Sequence, residues 1–273
     1  EAARKLEAPI LRRSQLLGYL LEGRRLIAVT GTHGKTTTTG MIGAALRSAG
    51  LDPTIVVGAE VPQFGGAVIE GSGEWAVAEA CEAYDSFHDL TPEIVVLTNL
   101  EPDHLDFHGD YDALRSSVMR FCQRAKALVY CQEDPGACEV AHEHLGARIA
   151  YGRASWTELS AGRPLRSTGP HNAANAGGAI ITASLIGADL RRAAEGVGAF
   201  AGAARRLQVV REGDPMVIDD YAHHPTEVCA SLKAVRELAP DRPVVLVFQP
   251  HLYSRTAEHL EAFAEALSGA DLL

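Results

Sequence analysis

No apolar run in this chain approaches the roughly 20 residues that cross a bilayer as a helix, and no basic start leads into a short apolar core and a small-residue cleavage site. These absences make a cytoplasmic protein without a membrane partner the expectation. The five cysteines, Cys81, Cys122, Cys131, Cys138 and Cys229, are odd in number and never spaced C-x-x-C. They read as reduced thiols rather than a disulfide framework. Positive charge is scarce: 25 Lys and Arg stand against 35 Asp and Glu, a formal net charge of −10. General attraction to nucleic acid or to an anionic surface is therefore not expected, and any anionic ligand needs a local cluster of positive groups. There is no low-complexity segment. An initiator Met is also lacking, and the last residues, Ala270-Asp271-Leu272-Leu273, read like a strand just beginning, so the sequence is expected to be a piece of something longer. Its oligomeric state is not legible in it.

What is present is 47% apolar with only 6% aromatic residues over 273 positions, a balance that suits an α/β protein of two domains or one large one. Glu1 to Glu22, charged and Leu-rich, reads as a helix that leads into the stretch Arg24 to Gly50, which organises the rest. Leu26-Ile27-Ala28-Val29 is short and β-branched enough for a buried parallel strand. The chain then turns through Gly31-Thr32-His33-Gly34-Lys35-Thr36-Thr37 into a segment with one apolar helical face, closed at Gly50. A strand, a glycine turn and a helix in that order make a phosphate site. Free backbone N–H groups and the positive helix end face an anion, Lys35 can reach the outer phosphates, and the Thr36 hydroxyl can ligate Mg²⁺. The longer phosphate-loop pattern wants a glycine where Val29 stands, so only the shorter form is met. A turn that merely joined strand to helix would have no use for Lys and Thr at the helix start.

Further polar groups fall at strand ends, the edge of a doubly wound sheet that faces the ligand crevice. Trp75-Ala76-Val77-Ala78 runs into Glu79, a candidate Mg²⁺ ligand or else a solvated carboxylate. Glu93 to Asn99 reads as a strand that delivers Glu101, Asp103, His104 and Asp106, and His104 is either a metal or proton-transfer group or a hydrogen-bonding residue. Thr54 to Gly58, Ala127 to Tyr130 and Arg148 to Tyr151 read as further strands, Val61 to Gly73 as a loop, and Tyr111 to Ala125 and Gly136 to Leu145 as helices. The polar segment Gly152 to Pro170 has no strong period. Asn172 opens a helix over Ala173 to Gly187 as an N-cap, or reads a purine edge. After a helix over Asp189 to Phe200 and the small-residue hinge Ala201-Gly202-Ala203-Ala204, the Arg205-Arg206 pair is either a solvated pair or a phosphate clamp. Met216 to Ile218 is a strand that ends in a dense polar cluster, Asp219 to Glu227, ahead of a helix over Thr226 to Leu238. A strand over Pro243 to Phe248 and a helix over Ala257 to Leu267 complete the pattern of two α/β units closing on a substrate.

These clusters, in this order, resemble the Mur ligase family, the ATP-dependent amide-forming enzymes of peptidoglycan precursor synthesis, and within it the alanine-adding members. The matching pieces are Gly31 to Thr37, Ala78-Glu79-Ala80, Thr98 to His104, His171-Asn172-Ala173-Ala174-Asn175-Ala176, Arg205-Arg206, Asp219 to Glu227 and Phe248-Gln249-Pro250-His251. The resemblance implies a P-loop-type parallel-sheet ATPase domain over 23–202, followed by the first part of a Rossmann-like α/β domain over 203–273, with 1–22 a remnant of a preceding domain that binds the UDP portion of the substrate. It implies ATP and Mg²⁺, with the segment Gly31 to Thr37 cradling phosphates and Thr36, Glu79 and His104 holding metal. Asn172 would contact adenine, Arg206 would reach the phosphates, and Asp220 and Tyr221 would border the nucleotide. His223 and Arg255 would hold the substrate or the incoming amino acid, so that Lys35, His104, His223 and Arg255 form the catalytic set. The implied reaction joins L-alanine to UDP-N-acetylmuramate through an acyl phosphate, or, in a related ligase, attaches a recycled peptide. Departures from the family pattern are Cys81-Glu82-Ala83-Tyr84-Asp85 in place of an acidic run, Leu252 in place of an arginine, and a short stretch between Tyr151 and His171; the first two, with the family's domains that the sequence is expected to lack, allow a nucleotide-binding protein impaired in ligation.

Overall fold

A computed structural model describes residues 10–273 with the exception of Thr168; the part of the expected leading helix that falls on residues 1–9 lies outside the described residues. The described part of that helix is α1 (Arg13–Leu20). β1 (Arg25–Thr30) and α2 (Lys35–Ser48) follow, then β2 (Thr54–Val61), β3 (Gly66–Ile69), β4 (Trp75–Glu79) and β5 (Ile94–Leu97). Next come α3 (Leu105–His108), α4 (Tyr111–Cys122), β6 (Ala127–Cys131), α5 (Pro135–Glu143), β7 (Ala147–Tyr151), α6 (Arg153–Leu159), α7 (Pro170–Leu185) and α8 (Leu190–Ala199). The strands β1 to β7 make one sheet in the order β3-β2-β4-β1-β5-β6-β7, parallel except for β3 against β2.

Alternation along the strands explains the layering, because successive side chains point to opposite faces. Ile27 and Val29 of β1 join Val77, Val96 and Val129 under α2, α7 and α8, whereas Leu26 and Ala28 join Ala76, Val95 and Leu128 under α4 and α5. Both faces are covered, so the central strands read as continuous apolar runs. Helices on the first face approach closely through glycine: a Cβ on Gly196 of α8 would lie 2.2 Å from the Ala44 carbonyl oxygen of α2.

The remaining chain forms a hairpin of β8 (Gln208–Arg211) and β9 (Val217–Asp219), then α9 (Pro225–Leu238), α10 (Tyr253–Glu258) and α11 (Leu260–Leu267), around a small core of Val228, Leu232, Phe263 and Ala266. No described helix is long and apolar enough to cross a membrane.

Several expectations need correction. The loop expected over Val61 to Gly73 contains β3, paired back on β2, since Gly65 takes a positive φ of 81° and reverses the chain. The segment Gly152 to Pro170 holds α6, anchored by buried Trp156. Among the described residues Pro243 to Phe248 pairs only through the bridge Val245 to Leu272, and Val247 stays exposed, so the apolar run makes an isolated bridge and not a named strand. The expected helix over Ala257 to Leu267 starts earlier and breaks at His259. Asn172 is not an N-cap: α7 begins at Pro170 with Gly169 in the cap position, because proline is pre-set for a first turn.

Candidate functional site

The turn between β1 and α2 is held by the exit of β5. The His33 backbone N–H donates to Asn99 Oδ1 at 2.8 Å, and Thr98 Oγ1 and Asn99 Nδ2 donate to the His33 carbonyl at 2.6 and 3.0 Å. Gly31 is required for this packing, since its φ is 129° and a Cβ there would fall 2.7 Å from the Asn99 carbonyl oxygen. Gly34 adopts φ 79° and caps α2, which leaves the first N–H groups of the helix free for an anion.

The Lys35 ammonium lies 3.0 Å from each carboxylate oxygen of Glu82, a residue 1% exposed, and donates to the carbonyls of Gly31 and Thr32. Burial acts to lower the pKa of this lysine, but the fields of Glu82 and Glu79 outweigh it and leave the pKa raised. At the tip of β4, Glu79 Oε2 accepts from Thr36 Oγ1 at 3.0 Å and from the Gly58 N–H at 2.8 Å. A Cβ on Gly58 would collide with this carboxylate at 2.4 Å.

Glu101, Asp103 and His104 leave β5 on the same edge. His104 has a φ of 54°, sparsely populated for a residue with a side chain and often met at functional sites. Its ring stands beside Asp103, with ligand atoms of Glu82, Asp103 and His104 within 4.8 Å of one another. Asp103 also receives Arg255 of α10 in a buried fork, with contacts of 2.8, 3.0 and 3.1 Å. Burial would raise the Asp103 pKa; His104 and Arg255 hold it below the usual range.

From the second part of the chain, Glu227 in the first turn of α9 gathers several groups. It lies 3.3 Å from His33 Nδ1, 3.7 Å from Arg206 and 3.3 Å from His223 Nδ1, and accepts the His223 backbone N–H at 2.9 Å. Burial opposes its ionisation, yet His33 and His223 leave its pKa lowered. His33, desolvated but between Glu101 and Glu227, is pushed up to about 9. Arg205 and Arg206 lie over the Tyr221 ring at 5.0 and 5.6 Å.

These groups surround a cavity of about 400 Å³. Of the residues singled out in the sequence, Thr32, Gly34, Lys35, Thr36, Glu79, His104, Arg206, Tyr221 and His223 line it, together with Gly58, Cys81, Glu82, Asp103, Arg205 and Glu227. Gly31, His33, Thr37, Asn172, Asp220 and Arg255 are not in its lining. Asn172 instead accepts from Asn175, whose side chain stands against Gly34. Asp220, its pKa raised by burial, accepts from Ser231, and Arg255 acts behind the wall through Asp103. Sequence reasoning did not single out Glu82 or Glu227 as site residues. Glu82 lies three residues beyond Glu79, a signal that could have been followed; Glu227 reads like an ordinary helix-start acid.

Comparison with known proteins finds relatives of this fold. The Mur ligase middle domain matches residues 29–161, and the Mur ligase glutamate ligase domain matches residues 205–273. The UDP-N-acetylmuramate–L-alanine ligases of Arthrobacter sp. strain FB24 and Mycolicibacterium gilvum are 42% and 41% identical, over 99% and 98% of this chain. The chain spans 63% and 64% of those proteins' lengths. The crystal structure of the UDP-N-acetylmuramate–alanine ligase of Thermotoga maritima superposes with a TM-score of 0.80 at 27% identity, covering 99% of this chain and 66% of that one. A murein peptide ligase from Psychrobacter arcticus, 22% identical, shares the fold with a TM-score of 0.74 over 99% of this chain and 67% of its own. With both domain models matched in order, and relatives of about 40% identity along its whole length, the chain belongs to the Mur ligase family.

Proposed function

We propose that this chain carries the ATP-dependent machinery of a carboxylate–amine ligase that joins L-alanine to UDP-N-acetylmuramate in peptidoglycan precursor synthesis. The observation that carries this reading is the convergence of Lys35, Thr36, Glu79 and His104, from three strand ends, on one cavity that Arg206, Tyr221 and His223 close from the second part. The relatives that bear this activity in their names supply the substrates.

In this reading residues 23–202 bind the nucleotide and residues 203–273 close over it. The free N–H groups at the start of α2 and the Lys35 ammonium hold the triphosphate, while Arg206 neutralises it from the opposite wall. Tyr221 borders the nucleotide from the cavity wall, while Asn172 and Asp220, which lie outside the lining, act behind it. Thr36 and Glu79 form an oxygen-only donor pair of the kind Mg²⁺ takes, with Gly58 orienting the carboxylate and His104 available to a second ion. Bound Mg²⁺ would draw charge from the phosphate oxygens as the substrate carboxylate is phosphorylated. His223 and Arg255 then hold the acyl group and the incoming amine, Arg255 through Asp103. Catalysis rests on positioning and charge neutralisation.

The test extends the chain with the flanking segments of the Arthrobacter relative and supplies UDP-N-acetylmuramate, L-alanine and Mg-ATP. Amide, ADP and phosphate in equal amounts are expected. Product from a tripeptide but not from alanine would replace the reading with peptide recycling. ATP binding without turnover on any amine would leave a nucleotide-binding protein.

A further inference from the structure

We propose that His33, Glu101 and His224 form a second metal site, for a transition-metal dication of the Zn²⁺ class, that bridges the phosphate turn and the start of α9. None of the three lines the nucleotide cavity. Their ligand atoms lie within 4.8 Å of one another, with Glu101 Oε2 at 3.3 Å from His33 Nε2 and 3.9 Å from His224 Nδ1. Bonds of about 2.0–2.1 Å in a tetrahedral zinc site put neighbouring donors roughly 3.3 Å apart, so small side-chain shifts suffice. The His33 and His224 rings already stand with centroids 4.7 Å apart at 45°.

Two further observations point to a cation at this place. His224 is 5% exposed, its Nε2 has no hydrogen-bond partner, and its Nδ1 accepts one long bond, from the Thr226 N–H at 3.4 Å, so a cation at Nδ1 would displace only that contact while the ring stays packed between His33 and His259. The surrounding groups also supply the supports that ligating side chains need. Glu227 sits 3.3 Å from His33 Nδ1, where it accepts that proton and leaves Nε2 free to ligate, and Thr226 Oγ1 donates to Glu101 Oε2 at 2.8 Å. Two carboxylates facing one imidazole call for positive charge between them; a proton on His33 provides it in metal-free protein, and a dication takes its place. Two imidazoles and one carboxylate favour Zn²⁺, Co²⁺ or Ni²⁺ over Mg²⁺, which prefers oxygen. The ligands come from the phosphate turn, the β5 exit and the cap of α9, so an occupied site fixes the second part against the first.

Chelator-stripped chain is titrated with Zn²⁺ against a chromophoric chelator, without nucleotide. One saturable equivalent is expected, weakened at least tenfold in His224→Ala and Glu101→Gln and unchanged in Glu79→Gln. Equal affinity in the first two variants, or weakening in Glu79→Gln, would overturn the assignment. Should a variant lose its fold, Co²⁺ added to the unaltered chain decides. Intense visible bands abolished by one equivalent of Zn²⁺ support the site, and only the weak absorption of octahedral Co²⁺ contradicts it.

Discussion

Lys35 and Glu82 show how a single pair can set the character of the site. Removing the Glu82 charge leaves a buried ammonium with the Gly31 and Thr32 carbonyls and the more distant Glu79. Breaking such a pair from one side costs about 3–5 kcal/mol because the remaining charge stays desolvated. Glu82→Gln should therefore lower the urea midpoint well beyond the effect of a surface substitution, and a shift of a few tenths of a kcal/mol would contradict the pairing. His33 gives a pH signature in metal-free protein. Its folded-state pKa of about 9 exceeds the ordinary 6.5, so its contribution is full below pH 6.5 and is lost as pH rises toward 9. Urea midpoints should fall across that window, and His33→Gln should flatten the alkaline limb. Glu101 and Glu227, with lowered pKa values, contribute above the ordinary carboxylate range and lose that contribution as pH drops through their folded values. At this scale much was legible. Lys35, Thr36, Glu79 and His104 could be picked out because strand-end position and residue chemistry coincide. Glu82 carried only its nearness to Glu79 and Glu227 only the look of a helix-start acid, since their roles arise from burial and from partners 47 and 194 positions away.

Among the elements, the packing of α8 on α2 is the sharpest test of the close-packed face. Alanine favours a helix over glycine by about 1 kcal/mol. At Gly196 that gain meets a Cβ placed 2.2 Å from backbone, an overlap that only a shift of the helix relieves. Overpacking of this kind costs about 1–3 kcal/mol, so Gly196→Ala should destabilise in thermal unfolding, and a stabilised variant would show that the helices are further apart than described. The elements read correctly from sequence, among them β1, β2, β4, β5, β6, β7, α2, α4, α5, α7, α8 and α9, carry their own periodicity and end signals. β3 and α6 were missed because tertiary partners make them: β3 exists by pairing on β2, and α6 by inserting Trp156 under α7. The opposite error occurred at Pro243 to Phe248, where an apolar, β-branched run pairs only briefly, with 271–272, among the described residues.

For the whole molecule, several polar contacts join the two parts. Arg255 on Asp103, Thr226 on Glu101 and Glu227 on His33 link α9 and α10 to the β5 exit and the phosphate turn. Asp103→Asn should cost about 3 kcal/mol by leaving Arg255 buried and unpaired. Amide exchange should then quicken across 205–273 while β1 and β5 stay protected; uniform quickening would mean that the parts unfold as one. This architecture was legible as a class, a parallel sheet with a second α/β unit, because strand, polar tip and helix recur in order. The cross-contacts were not, since no local pattern pairs residue 103 with residue 255.

In the proposed function one cavity takes Mg²⁺ and a triphosphate between Lys35, Thr36 and Glu79. Calorimetric titration of the 273-residue chain with a non-hydrolysable ATP analogue, with and without Mg²⁺, tests this directly. Weak but saturable, Mg²⁺-dependent binding is expected, abolished in Lys35→Ala and no longer responsive to Mg²⁺ in Glu79→Gln. Equal affinity in all three proteins would contradict it.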